Sequence, residues 1–445
     1  MKTTYGDSRL LTGGLWGLVL RYSFPSVASM IGISLYILAD TYFIANGVGE
    51  LGLAALNISM PIYSLLGGIG YMVGIGGATV FSIARESGDE ATRRDIFTFC
   101  IGLVLAASIA FFLAGACFAG EVSLAFGASP ATLPYAETYI RMLLLFAPAF
   151  VVNNVVTSFV RNDGAPSLAM GAMLSSVLFN IVFDYVFIYR FGWGMFGAVF
   201  ATCLSPLVGL SVLSAHFLKR RNTFALRRIR PHTHLLLRVL RGGTATFVLE
   251  LATGVVILGF NFKLLGTIGD VGVAAYGVIS NIAYVMFAIF NGLGQGIQPI
   301  ASANFGAGRT DRCRELLRDA SLLALVLSLL LVAAVMLFPA EIADLFNRDG
   351  NAELARIAEQ GIRLYFISFL FGGVNIVVIA WYQATLASRT AVAVSLTRGL
   401  FGVLVGLAVL PPLLGADGIW LTAPFAEALA SLLLLAAVLR RRNAA

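Results

Sequence analysis

Residues 49–55 read GELGLAA, and residues 269–275 read GDVGVAA. The correspondence continues in order at an offset of 220–222. Gly74 and Gly76 match Gly294 and Gly296, Gly88 matches Gly308, and Asn153 matches Asn375. Ala136-Glu137…Ile140-Arg141 likewise matches Ala358-Glu359…Ile362-Arg363. One such match is within reach of chance; an ordered series marks an internal repeat.

Both copies lie in very apolar surroundings. Of 445 residues, 59% are hydrophobic and 12% are charged, and the mean hydropathy is +0.89. A soluble globular chain carries about 45–50% apolar and about 25% charged residues. These figures exclude a soluble enzyme, a disordered chain and a fibrous repeat. They leave an all-α polytopic membrane protein, whose spans each need about 20 residues.

Apolar runs predict twelve helices. The first six cover 15–44, 51–83, 96–118, 134–160, 166–189 and 194–218; the second six cover 242–266, 271–304, 319–339, 355–386, 391–413 and 418–439. Residues 1–218 and 242–445 thus form two pseudo-symmetric six-helix lobes. The basic stretch 219–241 is the linker between them.

The net charge of +7 is distributed by side. Arg85, Arg93, Arg94, Arg161, Arg309, Arg312, Arg314, Arg318 and Arg389 fall in alternate connections, and the linker and the Arg440-Arg441-Arg442 tail fall on the same side. The opposite connections hold Glu50, Glu121, Asp270, Asp344 and Asp417, with Arg190 and Arg348 as the few basic residues. The positive-inside rule then predicts cytoplasmic termini and a multi-pass protein of the cytoplasmic (inner) membrane. It also accounts for the basic charge without nucleic acid. The N-terminus lacks a cleavable-signal pattern, so the first span is expected to serve as the targeting signal. Cys100, Cys117, Cys203 and Cys313 show no paired spacing, and His216, His232 and His234 show no acidic or cysteine partners nearby in sequence, so no metal centre or cofactor is expected.

Each half contains an even number of spans, so both begin on the same side. Parallel repeats about an axis along the membrane normal are one of the two arrangements of secondary transporters. Transport by rocking of two bundles is the natural inference.

Ionisable groups within spans are costly and face a cavity or a partner. Lys263 and Arg363 lie near span ends and can snorkel, and Arg398 can snorkel or pair with an acid. Asp40 and Asp184 resist that explanation. Asp184 lies about 27 Å along the fifth helix, and Thr202 about 12 Å into the sixth, coming back from the other surface. Asn180 shares a helix face with Asp184. Asp40 lies near the same end of the first helix. Two carboxylates, an amide and a hydroxyl therefore meet in one membrane layer. Such oxygens suit a hard cation, and paired carboxylates suit a proton. The alternative is a polar network that only joins helices. The repeat weighs for function: Phe260, Gly402 and Gly406 stand opposite Asp40, Asn180 and Asp184, and only Thr202 recurs, as Thr422. Glu250 and Glu427 are candidate cation or substrate contacts in the second half, or satisfied interhelical acids.

The motifs Gly68-x-Gly70-x-x-x-Gly74-x-Gly76 and Gly292-x-Gly294-x-Gly296 lie mid-span without a preceding strand, so close helix packing explains them better than phosphate binding. Pro25 and Pro299 are expected to break or bend their helices.

The segments ADTYFIANGVGELGLAALNISMPIYSLLGGIGYMVGIGGA (39–78), VRNDGAPSLAM (160–170), NIVFDYVFI (180–188) and NGLGQGIQPIASANFGAG (291–308) resemble the multidrug and toxic compound extrusion (MATE) family across essentially the whole chain. The resemblance implies a V-shaped twelve-helix fold and export of cationic, lipophilic compounds in exchange for Na⁺ or H⁺. It implies a cation site of Asp40, Asn180, Asp184 and Thr202, the same four residues reached above. Asn154 resembles a further lining residue of that lobe, and Glu250 resembles the helix-7 acid of another branch. Asn153 and Pro25 complete the candidate lining set with Glu250 and Glu427. The expected protein is a monomeric antiporter for small cationic molecules, bathed in membrane lipid. A flippase for lipid-linked saccharide is the alternative within the same superfamily, although it calls for a basic cavity. A receptor or membrane enzyme has less support, since no nucleophile–base or metal-ligand cluster occurs.

Overall fold

The computed structural model describes residues 9–227, 233–346 and 352–443. Arg228, Arg230, His232 and Arg348 lie outside them. Secondary structure among the described residues is entirely helical. The spans of the first lobe are α1 (Leu15–Gly47), α2 (Glu50–Ser87), α3 (Glu90–Cys117), α4 (Leu133–Leu145 with Ala147–Asn162), α5 (Pro166–Arg190) and α6 (Gly194–Leu218). Those of the second are α7 (Thr233–Thr267), α8 (Asp270–Gly306), α9 (Thr310–Leu337), α10 (Ala352–Ala384), α11 (Ser388–Leu414) and α12 (Thr422–Asn443). Twelve transmembrane helices in two lobes form the V. Leu105, Ile109, Leu329, Leu330 and Phe262 are among the large apolar side chains left exposed, as a hydrocarbon surround requires.

The repeat is visible in the backbone. Gly49 caps α2 at φ 94°, ψ −169°, and Gly269 caps α8 at φ 87°, ψ −164°. Gly164 follows α4 at φ 90°; its counterpart 222 residues on is Leu386, which holds φ 56° after α10. A β-carbon in this left-handed region costs roughly 1–2 kcal/mol. The breaks correspond as well. Helix α4 bends by 50° at Phe146, and α10 contains a 3₁₀ turn at Phe366–Ser368, the equivalent place. The α4 bend escapes a hydropathy reading, and Pro148 accounts for it: with no N–H, it leaves the Leu144 carbonyl without its helical donor.

The linker is shorter than sequence suggests. Helix α7 begins at Thr233, so the last nine residues assigned to the linker are helical. Leu235 and Val239 are buried in a first-lobe cluster, while Arg238 reaches Asp89 at 3.6 Å and Thr92 at 3.4 Å. The charges of Arg238 and Arg241 in this stretch mask the helix in a hydropathy profile. The same exchange occurs at the first helix: Leu15, Leu18, Val19 and Tyr22 of α1 pack in the second-lobe core.

The lobes meet through α2 against α7 and, by the repeat, α8 against α1. Close crossing explains the glycine motifs. A β-carbon at Gly76 would lie 2.0 Å from the Val239 carbonyl oxygen, and one at Gly296 2.4 Å from the Ser23 Cα. Helices α1 and α8 continue through Pro25 and Pro299 without the expected break. Serine hydroxyls flank both prolines without reaching the carbonyls they free: Ser29 Oγ donates to the Pro25 carbonyl at 2.8 Å, and Ser302 Oγ donates to that of Gln298 at 2.9 Å.

Candidate cation site in the first lobe

Helices α1, α5 and α6 converge to bury Asp40, Asn180, Asp184 and Thr202, none more than 3% exposed. The Asp40 and Asp184 carboxyl groups face each other within hydrogen-bonding reach. With its amide oriented to face a carboxylate with N–H rather than oxygen, Asn180 donates to Asp184 Oδ2 at 2.9 Å and accepts from Thr202 Oγ1 at 3.2 Å. The i, i+4 spacing on α5 places the amide between acid and hydroxyl. Asp40 Oδ1 and Asp184 Oδ1 are buried with no protein partner.

Two ionised carboxylates in contact and out of water repel strongly. A proton or a cation between them removes the conflict, and the orphaned oxygens give it a place. The free groups are carboxylate oxygens, which fit a hard monovalent ion. No group of three or more His, Cys, Asp or Glu suited to a metal occurs among the described residues.

Sequence reasoning missed the tyrosines around this pair. Tyr36, one turn before Asp40, approaches Tyr63, and Tyr139 lies within electrostatic range of both acids. Only Tyr36 carried a local signal, its i−4 spacing from Asp40. The last turn of α5, Val186–Arg190, is π-helical and directly follows Asp184; such turns gather at functional sites.

The remaining candidates are dispersed. Glu250 on α7 faces Gly68 on α2 across the lobe junction, near Tyr63, Tyr71 and Tyr284. Asn154 abuts Gly70 on α2, whereas its neighbour Asn153 turns toward Gly209 on α6, where its Oδ1 is buried without a partner. Pro25 lies about 22 Å along α1 from Asp40, beside the crossing of Ser26 and Val27 over Gly292. Glu427 is ion-paired with Arg398 at 2.5 Å and accepts from Asn375 at 2.7 Å. Arg398 therefore pairs rather than snorkels.

Two polar groups differ from their sequence assignments. Arg161, read as a loop arginine, is 5% exposed and reaches Gln295 of the other lobe. His216 has an acidic partner after all: its Nε2 lies 2.9 Å from Asp163 Oδ2, since α4 and α6 end side by side.

A two-lobed helical membrane protein with a buried acid pair in one lobe has the build of a secondary transporter. The chain belongs to the MatE (multidrug and toxic compound extrusion) family, whose model matches twice, over residues 25–186 and 247–407. The multidrug export protein MepA of Staphylococcus saprophyticus is 26% identical over 431 residues, covering 95% of this chain and 94% of that protein. MepA of Staphylococcus aureus strain MSSA476 is 23% identical over 428 residues, with 95% and 94% covered. A MATE family multidrug resistance transporter solved in an outward-facing conformation superposes at TM-score 0.90 with 23% identity, covering 97% of this chain and 96% of that one. A transporter from Pyrococcus furiosus, described as having a binding pocket of reverse polarity, superposes equally well at 0.90 and 23% identity, with 99% and 98% covered.

Proposed function

We propose that this protein is a multidrug exporter that expels lipophilic cations in exchange for Na⁺ or H⁺. The observation that carries this reading is the contact of Asp40 with Asp184, with an orphaned oxygen on each. Asn180 and Thr202 complete the cation site. Similarity to MepA multidrug export proteins supports multidrug efflux. In this reading both termini are cytoplasmic and the V opens away from the linker.

Cation entry would neutralise the acid pair and draw α1, α5 and α6 together. That rearrangement would disfavour bound substrate, and by linkage substrate must disfavour the cation equally. Glu250, with tyrosines from both lobes around it, is the second-lobe carboxylate placed to meet a cationic substrate. The test is efflux of ethidium from reconstituted vesicles under separately imposed Na⁺ and proton gradients. Asp40→Asn and Asp184→Asn should each abolish gradient-driven efflux. Undiminished transport in both would overturn the coupling site.

A further inference from the structure

The second lobe holds a buried ionic cluster of a different kind. Arg398 on α11 donates to Glu427 on α12 from Nε at 3.0 Å and from Nη2 at 2.5 Å. The two side chains are only 8% and 7% exposed. Asn375 on α10 donates to Glu427 Oε2 at 2.7 Å and accepts from Ser431 Oγ at 2.9 Å. Arg398 also lies 5.5 Å over the Phe287 ring, and it sits in a π-helical turn, Thr397–Phe401.

At an offset of 222 the first lobe carries Asn153, Ser176 and Ser205. The spatial correspondence holds, since Ser176 Oγ donates to the Ser205 carbonyl at 2.8 Å, joining the same pair of helices. The Asp40–Asp184 pair and Glu427 thus treat buried negative charge in opposite ways. The first lobe holds two acids in contact, with no basic side chain bonded to either among the described residues. The second holds an acid whose cation is covalently part of the chain.

We propose that Arg398 is a built-in counter-ion that closes Glu427 to the coupling cation, leaving ion exchange to the acid pair of the first lobe. This rests on the coupling role proposed for Asp40 and Asp184. Without the guanidinium, Glu427, the Asn375 amide oxygen and Ser431 Oγ are an oxygen set for a hard monovalent cation or a proton. Arg398 therefore sets how many cations the protein can hold. It is a stoichiometry-determining residue, not an ion ligand.

The experiment counts cations on the purified, lipid-reconstituted protein, using ²²Na⁺ binding at saturation and proton uptake after a pH jump. Arg398→Gln should roughly double the bound cations by unmasking Glu427, because a buried carboxylate stripped of its partner must recruit another positive charge. Arg398→Gln/Glu427→Gln should return to the parental count. An Arg398→Gln protein that is folded yet binds no extra cation would overturn the proposal. If Arg398→Gln does not fold, Arg398→Met/Glu427→Gln decides: it should keep the parental cation count and gradient-driven ethidium efflux, and loss of either in folded protein would overturn the proposal. Asp184→Asn alone separates the two ideas. Parental cation binding by that variant would sink the first-lobe reading and leave the count on Arg398 variants to stand by itself.

Discussion

Arg161 and Gln295 join the lobes: Nη1 of the arginine donates to Oε1 of the glutamine at 2.5 Å. Among the described residues the guanidinium also meets the Met173 sulfur, at 3.8 Å. A buried cation held by neutral acceptors is a weak point that one substitution can strengthen or expose. Gln295→Leu should lower stability by about 1–3 kcal/mol, the cost of leaving a buried donor unsatisfied. Gln295→Glu should instead raise the melting temperature, because it gives the buried guanidinium an opposite charge in direct contact. It should also slow transport if the lobes must part here.

Asp184→Asn separates stability from function. Removing one of two contacting buried acids relieves repulsion, so the variant should melt at or above the parental temperature, with a gain of up to about 2 kcal/mol. Ion-driven efflux should nevertheless be lost. A lowered melting temperature would mean that the acid pair is structural.

The glycine crossings predict a sharp positional contrast. Gly76→Ala and Gly296→Ala place a methyl against the backbone of a neighbouring helix, at 2.0 Å from the Val239 oxygen and 2.4 Å from the Ser23 Cα. Each should cost about 1–3 kcal/mol by overpacking. Gly67 on the same α2 has no atom within 4 Å of its would-be β-carbon. Gly67→Ala should be neutral or stabilising by up to about 1 kcal/mol. Thermal melts of the three variants make the comparison.

Asp163 fastens the linker to the first lobe. Its side chain accepts from the Thr223 backbone N–H at 2.8 Å and from the Thr223 hydroxyl, and it meets His216 and Arg85. Phe224 inserts beside it among Phe81, Phe97, Phe159 and Phe217. Asp163→Ala should cost about 3–5 kcal/mol by stranding these partners. Limited trypsin digestion should then cut at Arg220, Arg221 and Arg227 faster than in the parent.

The four first-lobe site residues were legible in sequence because an acid in an apolar helix is expensive and helix geometry fixes its depth. Orientation and repeat could be read for similar reasons: arginines collect on one side, and paired glycines share an offset. The roles of Arg161 and Asp163 could not, because both lie at helix ends where charge is ordinary. Their partners are 134 and 53 to 78 residues away in the chain. Tyr63 and Tyr139 are unremarkable members of apolar runs. The start of α7 was hidden because its exposed face carries the same charges as a loop.

Leu386 turns left-handed where its first-lobe counterpart is Gly164. Glycine reaches that geometry freely, and leucine reaches it only because the fold around it demands the turn. The two copies have drifted apart in residue after residue, including the acids that give one of them its chemistry. What they still hold in common at this corner is a path of the main chain. What the repeat keeps here is the trajectory of the backbone rather than the side chain that makes it easy.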